Sequence, residues 1–119
     1  VGNFLEHSRI FFFLNDGEEE LYMGSADWMP RNLDRRVEIL FPVLDDTLKE
    51  KVKHILDVEL ADNTKAHVLK PDGEYEKIDR RGKVLVNSQK QFCEEAVAAV
   101  PKTDHVYRER VFVPAEPAE

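Results

Sequence analysis

An α/β fold, bordering on α+β, follows from three features of this sequence. Short apolar runs have strand length, turn residues separate them, and one long stretch carries apolar residues at helical spacing. The expected architecture is a mixed β-sheet with flanking helices. A length of 119 residues gives one domain with a modest core.

The opening Val1-Gly2-Asn3-Phe4-Leu5 has no initiator Met and reads as the end of a short helix or turn in a longer chain. Arg9 to Leu14 is a strand, apolar on both faces and so expected to be buried. Asn15-Asp16-Gly17 is a turn signal with residues suited to positive φ, and Leu21-Tyr22-Met23 completes a hairpin. Trp28 to Leu33 reads as an irregular connection interrupted by Pro30, and Val37 to Val43 as a further strand.

Asp45 or Asp46 caps a helix to about Leu60, with Leu48, Val52, Ile55, Leu56 and Leu60 forming one apolar stripe. His67-Val68-Leu69 and Tyr75 to Ile78 flank the turn Lys70-Pro71-Asp72-Gly73, which predicts a second hairpin. Asn87 or Ser88 caps a last helix to about Val100, with Phe92, Ala96, Val97 and Val100 turned inward. His105 to Val113 is expected to be extended, and residues 114–119, rich in Pro and Glu, form a disordered tail.

Composition narrows the function. An apolar fraction of 42% with 34% charged residues is a globular balance, not that of a disordered chain. No apolar run approaches the ~20 residues needed to cross a bilayer. The single Cys93 excludes an internal disulfide framework. A net charge of −7 argues against binding nucleic acid through the overall field, so any anion must be met by a local basic patch. Arg9, Arg31, Arg35 and Arg36 supply one, in a stretch without lysine. Arginine suits bidentate phosphate contacts. The plainer reading pairs these arginines with Glu6, Glu18, Glu19, Glu20 and Glu38 on a solvated surface.

The chemistry concentrates in Glu6-His7-Ser8-Arg9 and Gly24-Ser25-Ala26-Asp27, at the two ends of the first hairpin. His7 and Arg9 are two apart on an extended segment and project to one side. The returning strand brings Gly24 and Ser25 back towards them. An imidazole for proton transfer, a guanidinium for developing charge and an approachable Gly-Ser backbone are what phosphoryl transfer requires. No Gly-rich phosphate loop is present. His54 reads as structural, His67 and His105 lack metal-ligand spacing, Trp28 reads as core, and Cys93 as inert packing on a buried helix face.

Leu5-Glu6-His7-Ser8-Arg9, and still more the run from Ser25 through Trp28-Met29-Pro30-Arg31-Asn32-Leu33-Asp34-Arg35-Arg36 to Glu38, resembles the last catalytic domain of the bacterial polyphosphate kinases. Asp62-Asn63-Thr64-Lys65-Ala66 resembles that family too. The likeness covers roughly residues 1–100, is strongest over 4–66 and thins after Gly73.

The resemblance implies that residues 1–113 are part of a C-terminal phospholipase-D-like catalytic domain. The broader fold carries H-x-K-x4-D, then Gly-Ser and an Asn. Here Arg9 replaces the Lys, Leu14 the Asp, and Asp27 the Asn, which argues against a phosphodiesterase. The implied reaction moves the terminal phosphate of ATP to a histidine of the preceding domain and then, reversibly, to polyphosphate.

His7 matches the family's second essential histidine and is the expected catalytic residue. Arg9, Ser25, Arg35 and Arg36 are the expected phosphate-binding residues, supported by Asp27 and Asn32. Asp27 either caps the following turn or orients His7. Mg2+ is expected outside this chain. The implied partners are ATP, ADP, polyphosphate, the preceding domain and further copies in a homo-oligomer. The implied location is cytoplasmic, with membrane association in some members of the family. A non-catalytic polyphosphate-binding module is the alternative, with the arginines serving recognition alone.

Overall fold

The structure is a computed structural model that describes residues 2–100. Strand β1 (Ile10–Phe13) and strand β2 (Glu20–Gly24) form the first hairpin, followed by helix α1 (Pro30–Arg35), strand β3 (Leu40–Pro42) and helix α2 (Asp46–Ala61). Strands β4 (His67–Leu69) and β5 (Tyr75–Lys77) form the second hairpin, and helix α3 (Ser88–Ala99) follows.

The turn of the first hairpin is as its residues dictate. Asn15, Asp16 and Gly17 take φ of 46°, 53° and 97°, a left-handed run that these three residue types tolerate best. The Gly17 amide closes it by donating to the Leu14 carbonyl at 2.9 Å. β1 and β2 then pair antiparallel, with Phe12 opposite Leu21 and Ile10 opposite Met23. β3 joins the far edge of β2, with Met23 opposite Phe41. Pro42 cannot donate to the ladder, so pairing passes to Val43, whose amide donates to the Leu21 carbonyl at 2.8 Å.

The α/β class holds, but the sheet is not mixed. Both described sheets are antiparallel throughout, ordered β1-β2-β3 and β4-β5. The two hairpin links are too short for the crossover that parallel pairing needs. Pro30, expected to interrupt regular structure, instead starts α1. A proline at the first helical position loses no hydrogen bond, and the extended Met29 before it is the conformation proline favours.

α2 starts where Asp45 accepts from the Leu48 amide at 2.9 Å, and α3 where Asn87 accepts from the Lys90 amide at 3.1 Å. Lys53 of α2 reaches Glu19 at 2.6 Å and lies 5.3 Å over the Phe12 ring, fastening the helix to the sheet. On its other flank, His54 meets Glu95 of α3 at 2.9 Å.

Among the described residues the buried apolar ones are Leu21, Val43 and Val58. Val58 lies outside the predicted stripe, whose ends Leu48 and Leu60 are exposed while Val52, Ile55 and Leu56 are half-buried. Geometry explains this. A 16-residue helix is about 24 Å long, and the sheet strands of three to five residues span at most about 17 Å. The β1 aromatics Phe12 and Phe13, expected inside, are exposed, as are Ala96 and Val97 of the last helix and Val100 just past its end. Asn3 and Phe4 form a bend, and residues 2–9 contain no helix. The expected extended segment at His105 to Val113 and the tail at 114–119 lie outside the described residues.

Candidate functional site

The site forms where the first hairpin begins and ends. The Gly24 amide donates to the Arg9 carbonyl at 3.1 Å, so the start of β1 lies against the end of β2. The fit is close at Gly24: a Cβ would stand 3.2 Å from both the Ile39 carbonyl oxygen and a Leu40 methyl, so a larger residue requires these neighbours to give by a few tenths of an ångström. The Ser25 amide then donates to the Ile39 carbonyl at 3.0 Å, which ties the turn to the chain entering β3.

Arg9 Nε donates to Asp27 Oδ1 at 2.7 Å. This bond, with the charge of Arg9 itself and smaller contributions from His7 and Arg31, holds the Asp27 carboxyl below the usual carboxylate range. The same bond raises the Arg9 guanidinium, with the Asp27 and Glu38 charges adding to it. His7, Arg9, Asp27 and Arg31 therefore form one electrostatic cluster. His7 is exposed, and Arg9 is half-buried. Of the two expected roles for Asp27, its side chain takes neither directly. It grips Arg9, and its carbonyl accepts from the Met29 amide at 2.8 Å.

Ser25 Oγ donates to Glu38 Oε2 and accepts from the Ile39 amide at 3.0 Å. Its hydroxyl proton is thus spent on Glu38, a contact that nothing in the local sequence announced. Asn32 is buried, and its Oδ1 accepts from Arg36 Nη1 at 3.3 Å, one helical turn away. This bond fixes Arg36 against α1. Arg35 is exposed and makes no ion pair among the described residues. Of the three arginines after Trp28, it is Arg31 whose charge reaches Asp27.

Trp28 is not core. It is 78% exposed and stacks on Phe11 with ring centroids 5.7 Å apart. The pair walls a cleft of about 340 Å³ beside Arg9 and Asp27. Cys93 is exposed and not packed away, because α3 turns that side towards a groove shared with α2. His54 is paired with Glu95, and His67 bonds the Lys65 carbonyl at 3.1 Å; His105 lies outside the described residues. Among the described residues no group of three or more His, Cys, Asp or Glu side chains could hold a metal ion, and none of their helices is long and apolar enough to cross a membrane.

Sequence reasoning passed over two residues that hold the His7 segment in place. Gln89 bonds the backbone of Asn3 and Phe4, and Glu59 accepts from Ser8 Oγ at 3.2 Å. Both partners are distant in sequence, and neither belongs to a local motif.

A small α/β unit with a His-Arg-Asp-Arg cluster at the open end of a hairpin is a class of site fitted to anionic groups. The comparisons give it a family. Residues 1–89 match the family described as polyphosphate kinase C-terminal domain 2. The chain is 47% identical over 105 residues to a polyphosphate kinase of Lactiplantibacillus plantarum, covering 88% of this chain and 14% of that protein. It is 50% identical over 101 residues to one of Pseudomonas aeruginosa, covering 84% of this chain and 15% of that protein. The crystal structure of polyphosphate kinase from Porphyromonas gingivalis superposes with a TM-score of 0.73 at 38% identity, over 82% of this chain and 15% of that one. The chain belongs to the polyphosphate kinase C-terminal domain family. It spans 14% to 15% of the length of these relatives.

Proposed function

We propose that this chain is the C-terminal catalytic-domain piece of a polyphosphate kinase and supplies one half of a split phosphoryl-transfer site. The proposed reaction passes the terminal phosphate of ATP to a histidine of the preceding, phospholipase-D-like domain, releasing ADP. That phosphate then passes to the end of a polyphosphate chain, reversibly. The observation that carries the reading is the Arg9–Asp27 contact at 2.7 Å, two residues on from His7, in a chain about half identical to polyphosphate kinases.

Each group has a task in this scheme. His7, exposed beside the cluster, donates a proton to the leaving oxygen or stabilises charge on it. Arg9 has five N–H donors and spends only Nε on Asp27, so its two outer nitrogens remain for phosphate oxygens. Asp27 keeps the guanidinium aimed and offsets part of the positive charge. Arg35 and Arg36 meet the phosphate chain further out, with Asn32 orienting Arg36. Ser25 meets a phosphate only by exchanging its bond to Glu38.

ATP and polyphosphate are the proposed substrates. Among the described residues no group of carboxylate or imidazole side chains gathers that would hold Mg2+, and the proposal leaves Mg2+ to the preceding domain. Cytoplasmic location, with a membrane-associated fraction, and homo-oligomeric assembly belong to the same proposal.

Two assays test it. Residues 1–119 alone, given ATP and polyphosphate, are expected to show no turnover. The full-length kinase carrying His7→Ala is expected to lose synthesis. Robust synthesis by the isolated chain would overturn the split site, and normal synthesis by the variant would remove His7 from it. Should the isolated chain bind polyphosphate in a salt-sensitive way that Arg35→Ala or Arg36→Ala abolishes, while His7→Ala leaves turnover of the full-length kinase intact, the non-catalytic binding module is the better account.

A further inference from the structure

His7 sits on a segment that belongs to no strand, since β1 begins at Ile10. Backbone pairing with the sheet reaches back only to the Arg9 carbonyl. Something else must fix the residues before it, and two side chains do. On the far side of His7, Ser8 Oγ donates to Glu59 of α2 at 3.2 Å. On the near side the anchor is Gln89. Its Oε1 accepts from the Asn3 amide at 2.8 Å and the Phe4 amide at 3.0 Å, and its Nε2 donates to the Phe4 carbonyl at 2.9 Å. One carboxamide thus replaces the ladder bonds that a neighbouring strand would give.

Gln89 is itself held rigidly. It is only 8% exposed and is the second residue of α3. The first, Ser88, gives its amide at 2.8 Å and its hydroxyl at 2.9 Å to Asp62 Oδ2. Asp62, 1% exposed, accepts with its other oxygen from the Thr64 and Lys65 amides, both at 2.9 Å. The α3 N-terminus is therefore pinned to the end of α2, and Gln89 with it. An independent feature marks the same contact. Gly2 takes φ +145°, and a Cβ there would lie 2.4 Å from Gln89 Oε1. With that carboxamide committed to three bonds, it could not move aside without breaking them. Glycine at position 2 is the residue that leaves room for the clamp.

We propose that Gln89 is a positioning residue for His7: its carboxamide clamps the backbone at Asn3 and Phe4, and Asp62, through Ser88, holds the clamp in place. The inference rests on the catalytic reading of His7. It adds to that reading the part of the fold that sets the imidazole's position. Phosphoryl transfer is sensitive to such placement, because a shift of about 1 Å in a reacting group can cost about a hundredfold in rate.

The test is a double-mutant cycle in the full-length kinase, using Gln89→Met, which keeps length but has no amide, and His7→Gln. Gln89→Met is expected to lower kcat about tenfold or more while KM for ATP stays within about threefold. In the His7→Gln background it is expected to cause no further loss, because there is no imidazole left to place. Gly2→Ala crowds the same contact from the other side without removing a buried group. It is expected to behave alike, and it decides the matter if Gln89→Met melts before assay temperature. Unchanged kcat in both variants would overturn the clamp, as would equal losses with and without His7, which mark a merely structural role. Full activity in His7→Gln alone would instead overturn the catalytic reading on which the clamp depends.

Discussion

Arg9 and Asp27, 18 residues apart in sequence, meet at 2.7 Å where the first hairpin closes on itself. The pair links the segment bearing His7 to the turn that follows Gly24. It does so at a half-exposed position, so its worth lies more in aiming the guanidinium than in stabilising the fold.

Arg9→Lys separates charge from geometry. Lysine keeps the positive charge but loses the fork that can grip Asp27 and a phosphate together. In the full-length kinase we expect kcat/KM for polyphosphate synthesis to fall about tenfold or more, with the thermal midpoint nearly unchanged. Steady-state kinetics and a melting curve check both halves.

Ser25→Ala addresses whether the hydroxyl binds phosphate or braces the turn. The bonds to Glu38 and to the Ile39 amide predict a loss of about 1 kcal/mol in stability. The effect on KM for polyphosphate should be modest, within about threefold. A large rise in KM with unaltered stability would show that Ser25 leaves Glu38 for the substrate.

Asp62 makes the fold sensitive to acid. Burial alone would push its carboxyl up, but bonds from the Lys65 and Ser88 amides, the Ser88 hydroxyl and the Thr64 amide hold it well below the usual range. A carboxyl depressed in the folded state stabilises that state at neutral pH. This contribution fades as pH falls below about 4, where the unfolded chain takes up the proton first. Denaturant titrations from pH 7 to 3 should show that decline. Asp62→Asn should cost about 2 kcal/mol or more at pH 7, because an amide N–H would then face the Ser88 donors, and its acid limb should be flatter.

How much of this was legible in sequence follows from the range of each interaction. The Asn15-Asp16-Gly17 turn is local chemistry and appears as read, and so is capping, where the first residue of each candidate pair, Asp45 and Asn87, takes the cap. Pro30 carries two local meanings, a break or a helix start, and only the path of the chain decided between them. Burial failed as an inference at Trp28, Leu60, Cys93 and Val97. Apolar periodicity shows which face wants cover, not whether a neighbour long enough to cover it is there. The return of the chain at Gly24 to the start of the hairpin was foreshadowed, but the choice of Arg9 as Asp27's partner was not. Gln89, 85 residues from Phe4, was beyond any local pattern.

The central claim is that His7 acts on the phosphoryl group in flight. Single-turnover transfer from ATP, followed by rapid quench in the full-length kinase with His7→Gln, tests it most directly. The account predicts a transfer rate at least about a hundredfold slower, with ATP affinity within a few-fold of the parent. A transfer rate equal to that of the parent would contradict it.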